Sequence, residues 1–179
     1  TAIAYGESED VLGQIGIDQW KIITKLPAVP GDSKDLNEWV FDQIQQSMKR
    51  LRITQLYGVL LHRPSQLLEG IGPSLYAALQ SIKSAGWTEK IGVSVYGVTE
   101  LEPLFDAYPL DLVQAPLNIL DRALVESGWA SKLQSAGVEV HARSAFLQGL
   151  LLMTSHQRPA KFSRWTNVWN VWDRWLEQE

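Results

Sequence analysis

Five short apolar runs, each closing on a polar residue, constrain this chain more than any other feature. The runs are KIITK, LYGVLLH, IGVS, LDLVQ and VEVHAR, and they close on Lys25, His62, Ser94, Gln114 and Arg143. Runs this short and this rich in Val, Ile and Leu read as buried strands, and all but one are separated by stretches of helical periodicity. Strands alternating with helices imply βαβ units and a parallel sheet. Side chains alternate across a strand, so Lys25 shares a face with Ile23, His62 with Leu60 and Gly58, and Arg143 with His141 and Glu139. The polar residues then point into a barrel and gather at the mouth where the C-terminal strand ends of a (β/α)8 fold converge. One polar strand end alone equally marks a strand meeting a polar turn. Five in series point to a rim.

A complete (β/α)8 barrel takes about 250 residues, and this chain has 179, so an incomplete barrel is expected. With no internal repeat and no tract rich in Pro, Gly or Ser, the chain reads as a single domain, 1–179. The formal net charge is -4 and the cations are scattered, which argues against a nucleic-acid partner. The absence of cysteine excludes disulfides, iron-sulfur clusters and thiol catalysis, and the three histidines lack metal-ligand spacing, so no metal is expected. No run approaches the roughly 18 apolar residues of a membrane span, and no charged start precedes an apolar signal segment. A cytoplasmic protein with no membrane partner is the expectation.

The helical stretches have readable ends. A short one runs through Glu9, Val11 and Leu12. Asp32 or Ser33 is expected to cap a helix carrying Leu36, Val40, Ile44, Met48 and Leu51. Pro73 starts a helix that Gly86 ends, another spans Thr99 to Ala107, and one helix is expected from Arg122 to Ala136, stopped by Gly137. Near the C-terminus, Trp165, Trp169, Trp172 and Trp175 stripe a helix with Phe162, Val168 and Leu176. Such a stripe is a core face, an oligomer interface, or a face left open by an absent covering element.

The segments TAIAYGESEDVLG, KIITKLP, LLHRP, GVSVYG, DLVQAPLNIL and RSAFLQGLL follow the order and near-spacing of the aldo-keto reductases. The chain resembles that family over nearly its whole length. The resemblance implies an α/β (β/α)8 TIM barrel, here covering the end of strand 2 through the helix after strand 7, with truncation at both ends expected. It implies NADPH, with NADH as the alternative, and reversible hydride transfer that reduces an aldehyde or ketone to an alcohol. Tyr5, Lys25 and His62 match the family's catalytic tyrosine, lysine and histidine. The family's catalytic aspartate would fall immediately before Thr1. Ser94 and Gln114 match residues that hold the nicotinamide carboxamide, and Arg143 takes the place of the aromatic under the nicotinamide ring in many members, where a planar guanidinium can also stack.

These residue types suit that chemistry. Hydride addition to a carbonyl makes an alkoxide that needs a proton, and an ordinary phenol with a pKa of about 10 is a reluctant donor at neutral pH. A lysine beside it favours the phenolate, a carboxylate would hold that lysine, and a histidine can orient the substrate oxygen by hydrogen bonding. The chain departs from the family pattern at Val95, where an asparagine usually follows the serine, and at Gln55, where an aspartate is common. A second reading keeps the fold without turnover, as a catalytically inactive binding or assembly subunit. The open barrel edges and the Trp-rich tail leave room for an oligomer or a completing chain.

Overall fold

Each apolar run forms a strand: β1 (Ile23–Leu26), β2 (Leu56–Leu61), β3 (Thr88–Ser94), β4 (Leu112–Pro116) and β5 (Glu139–Arg143). They pair in chain order and every pairing is parallel, which requires a crossover element between successive strands. Helix α1 (Ser8–Ile15) precedes β1, and α2 (Leu36–Leu51), α3 (Gly72–Ser84) and α4 (Leu101–Ala107) supply the first three crossovers. The fourth is made by α5 (Ala123–Glu126) and α6 (Trp129–Ser135). The computed structural model describes residues 1–33 and 35–178, and among these the sheet is open, five parallel strands of the expected barrel. Residues 1–3 run along the free side of β1, where the Thr1 amino group donates to the Ile23 carbonyl at 2.9 Å and the Ile3 N–H to the Lys25 carbonyl at 3.2 Å.

Register sorts the side chains onto two faces. Lys25 pairs with Leu60, Leu60 with Gly92, Gly92 with Leu112 and Leu112 with Glu139, and the next row joins Ser94, Gln114 and His141. The opposite face carries Leu26, Val59, Leu61, Ile91, Val93 and Val113, which share one core with Val40, Ile44, Leu75, Leu79, Ile82, Leu104 and Leu133 of the helices. Each fully buried aliphatic side chain contributes roughly 1.5–3 kcal/mol to that layer. The β3–β4 contact depends on Gly92, because a Cβ there would lie 1.7 Å from the Leu112 carbonyl oxygen.

Toward the other end of the strands, the face that carries Lys25 is filled by charge. The Ile22 carbonyl accepts from both Tyr57 N–H (2.8 Å) and Gly58 N–H (3.3 Å), a local irregularity in β2. The Tyr57 hydroxyl donates to Glu139 Oε2 at 2.5 Å, Lys90 Nζ pairs with the same oxygen, and His141 Nε2 lies 2.6 Å from Glu139 Oε1. The Lys90 hydrogen bond, then that of Tyr57, holds the Glu139 carboxyl down to about 2.

Two helical expectations are corrected. The side chain that caps α2 is Asp35, accepting from Glu38 N–H at 3.0 Å, and not Asp32 or Ser33. The chain is still turning at those residues, with Ser33 N–H donating to the Pro30 carbonyl at 3.2 Å. The single helix from Arg122 to Ala136 is two, because Gly128 takes a left-handed φ of 82° between α5 and α6.

The chain divides into two units, Thr1–Arg143 and Ser144–Glu179. The second has its own small core. Helix α7 (Thr166–Leu176) places Trp169 against Leu150 and Leu151, with Leu147, Met153, Phe162 and Trp172 around them. The indole N–H of Trp169 donates to the Phe162 carbonyl at 3.0 Å and that of Trp172 to the Leu151 carbonyl at 3.2 Å. The tryptophan stripe therefore splits, since Trp165 and Trp175 stay exposed. Among the described residues, no helix is long and apolar enough to cross a membrane.

Candidate active site

Lys25, His62, Ser94 and Arg143 stand at the C-terminal ends of their strands, and Gln114 lies in β4 beside Ser94 in register. Pro27 follows directly on β1 and Pro64 opens the loop after β2, so neither strand runs past the rim. Gln66 ties these two rim loops together from a buried position: it accepts from Val29 N–H at 2.8 Å and donates to the Val29 carbonyl at 3.0 Å.

Tyr5 reaches the same rim from outside the strands. After pairing with β1 the chain turns, with Tyr5 N–H donating to the Ala2 carbonyl at 3.0 Å and Gly6 at a φ of 55°. That turn sets the phenol ring edge-to-face against His62, ring centroids 5.7 Å apart. Lys25 Nζ lies 5.0 Å from the centroid of the Tyr5 ring. The structure places Tyr5, Lys25 and His62 side by side. The rings are not equally covered, and Tyr5 at 49% exposure is open to a ligand.

The Lys25 side chain is only 6% exposed, and its ammonium donates to the Thr1 carbonyl at 2.9 Å. Burial, reinforced by the positive charge of Arg143, lowers its pKa from the ordinary lysine value. Burial also lowers the pKa of His62, with Lys25 and then Arg143 adding to the effect. Near neutral pH His62 is therefore an uncharged imidazole, able to hydrogen-bond an oxygen without adding a third cation.

Arg143 is fixed by the chain that follows β3. Its Nε and Nη2 donate to the Val95 carbonyl at 3.2 and 2.9 Å, and its guanidinium lies 4.4 Å from the centroid of the Tyr96 ring. The Val95 side chain is fully buried in the main core, so what that residue offers Arg143 is its backbone. Tyr96, 67% exposed, is the aromatic that sequence reasoning missed. Its place directly after the Ser94–Val95 pair was the available signal.

A second omission lies behind the rim. Glu9 is 1% exposed, yet its carboxylate accepts from Thr24 Oγ1 (2.5 Å), Ser47 Oγ (2.7 Å), Arg50 Nε (2.9 Å) and Arg50 Nη2 (2.7 Å). A buried carboxylate is tolerated when it is paired and fully hydrogen-bonded, as here. Only its place four residues after Tyr5, on a helix, hinted at a role.

The geometry has counterparts among solved structures. An aldo-keto reductase from Pseudomonas aeruginosa is 24% identical with a TM-score of 0.66, covering 84% of this chain and 61% of its own. One from Bacillus halodurans in its holo form is 20% identical with a TM-score of 0.71, covering 89% of this chain and 55% of its own. One from Bombyx mori, solved in complex with NADP, is 21% identical with a TM-score of 0.60, covering 80% and 50%. The chain thus spans between half and about three fifths of the length of these structures, and at such identities they share its fold. No curated protein sequence matches it. A model of the Aldo/keto reductase family matches residues 1–175, all but the last four positions, and the chain belongs to that family.

Proposed function

We propose that the chain carries the rim of an NADPH-dependent reductase that converts an aldehyde or ketone to an alcohol. The observation that carries this reading is the contact of both Lys25 and His62 with the Tyr5 ring. Tyr5 gives its hydroxyl proton to the oxygen that becomes the alcohol. The Lys25 ammonium, shielded from water, stabilises the negative charge left on the phenol. His62, neutral because burial and two cations disfavour its charged form, hydrogen-bonds the substrate oxygen and directs it toward Tyr5.

The donor set fits a nicotinamide. Ser94 and Gln114 are register neighbours on one face, and a hydroxyl beside an amide matches the acceptor and donor of a carboxamide. Arg143, its guanidinium over the Tyr96 ring, presents a flat cationic group beside them. When bound, the reduced nicotinamide supplies the hydride. The Bombyx mori relative was solved with NADP and another similar protein, Gox0644, with NADPH, which supports that choice of cofactor over NADH.

The test is NADPH oxidation by the full-length gene product across a panel of small aldehydes and ketones. Turnover is expected, with Tyr5→Phe slower by about 100-fold or more while NADPH affinity is kept. NADPH binding without turnover would replace this reading with a non-catalytic binding or assembly role. Tyr5→Phe as fast as the parent protein would remove Tyr5 from the chemistry.

A further inference from the structure

Glu9 occupies the junction of three elements. It sits in the first turn of α1, and its four hydrogen bonds reach Thr24 in β1 and Ser47 and Arg50 in α2. α1 is clamped at the same place by Gly13, where a Cβ would lie 2.1 Å from the Arg50 carbonyl oxygen.

Both partners of the Tyr5–Lys25 contact are attached to this junction. Tyr5 leads into α1, its carbonyl accepting from Ser8 N–H at 3.1 Å, so fixing the first turn of α1 fixes the tyrosine. Thr24 immediately precedes Lys25 and faces the other way across the strand. A hydrogen bond holding Thr24 from behind therefore sets the direction in which Lys25 leaves the rim side. The direct bond of the Lys25 ammonium is to a carbonyl, that of Thr1, so its aim depends on the backbone of β1.

Resting on the functional reading above, we propose that Glu9 is a positioning residue: through the Thr24 hydroxyl and through α1 it holds the Lys25 ammonium against the Tyr5 ring. A role in stability alone would require only that the carboxylate be satisfied, which Ser47 and Arg50 on α2 go far to do without Thr24. The short bond to Thr24 couples it to the rim.

The test uses the full-length gene product with NADPH present and compares Thr24→Val, which removes the hydroxyl at similar volume, with Thr24→Ser, which keeps it. These variants spare the buried charge, whose removal in Glu9→Gln could unfold the protein. The first readout needs no turnover. Acetic anhydride labelling of Lys25, measured by peptide mass spectrometry relative to Lys83 in the same sample, is expected to rise about threefold or more in Thr24→Val and to stay near the parent rate in Thr24→Ser. The second is kinetic: kcat for a small aldehyde is expected to fall about tenfold in Thr24→Val, with KM changed by less than about twofold, and to be restored by serine. Unchanged Lys25 labelling in Thr24→Val, or equal effects of valine and serine, overturns the proposal. A parent protein without turnover overturns the functional reading alone, and Lys25 labelling then decides the positioning role by itself.

Discussion

Replacing Gly92 by alanine should be the most damaging single-carbon change in the sheet, while the same change at Gly58 should be mild. Both glycines lie on the face of the sheet that carries Lys25. At Gly92 the added Cβ would stand 1.7 Å from the Leu112 carbonyl oxygen and 2.7 Å from its carbon. Those are backbone atoms of the neighbouring strand and cannot rotate away. Ordinary contact requires β3 and β4 to part locally by roughly 1.5 Å. The flanking ladder bonds, Asp111 N–H to the Ile91 carbonyl and Val95 N–H to the Gln114 carbonyl, are each 2.9 Å long and would be stretched beyond hydrogen-bonding distance. Overpacking costs about 1–3 kcal/mol and two lost bonds about 1 kcal/mol each, for a total of about 3–5 kcal/mol. At Gly58 the new Cβ meets side-chain rather than backbone atoms, Leu112 Cδ2 at 3.1 Å and Ile23 Cγ1 at 3.3 Å, and a shift of a few tenths of an ångström relieves them for about 1 kcal/mol. Urea unfolding measures both: with a slope of about 1–3 kcal/mol per molar urea, the Gly92→Ala midpoint should fall by about 1 M or more. A loss below about 1 kcal/mol for Gly92→Ala, or a Gly58→Ala variant as unstable, would refute the reasoning. Because Ser94 and Gln114 are register partners on one face, two residues beyond Gly92 and Leu112, the same parting should weaken the nicotinamide binding proposed above.

Two other outcomes are expected. The folded pKa of His62 lies below its ordinary 6.5, so the stability it contributes is present above pH 6.5 and is lost as the pH falls below that value toward the folded pKa. Its ring resonances, followed by NMR, should titrate below 6.5 and move upward in Lys25→Met, which removes a neighbouring cation; a midpoint at or above 6.5 in the parent protein contradicts this. Removing the α2 cap by Asp35→Ala should cost about 1 kcal/mol, and Asp32→Ala no more than a few tenths. Equal losses in thermal unfolding would show that the cap is placed wrongly.

The strands were legible because each is a short apolar run with a polar residue at its C-terminal end, and alternation along Lys25, His62 and Arg143 then points the five polar ends into the barrel. The α2 cap was harder: Asp32, Ser33 and Asp35 are all competent capping residues, and the turn at Pro30 decides which of them meets the helix. The break at Gly128 escaped because a lone glycine within helical periodicity reads as tolerated, whereas here it adopts a φ of 82° that ends one helix and starts another. Glu9 was invisible for a different reason. Its donors lie 15, 38 and 41 positions away along the chain, and periodicity reports which face a residue takes, not what converges on it. Tyr96 was present in a segment already singled out, yet nothing in sequence tells which exposed ring lies under a guanidinium.

The cluster of Tyr57, Lys90, Glu139 and His141 also bears on how the chain avoids misfolding. In a parallel sheet made of similar aliphatic runs, a strand displaced by one residue finds nearly equivalent hydrocarbon neighbours, but its faces exchange. For β5 that displacement would swing Glu139, His141 and Arg143 into the layer occupied by Val93, Val113 and the helices, and strip Lys90 of its carboxylate. A paired charge adds little net stability when folding is correct, yet its loss is costly when the alignment is wrong. Leucines at those positions could pack as tightly, but they would not distinguish the right register from the adjacent one.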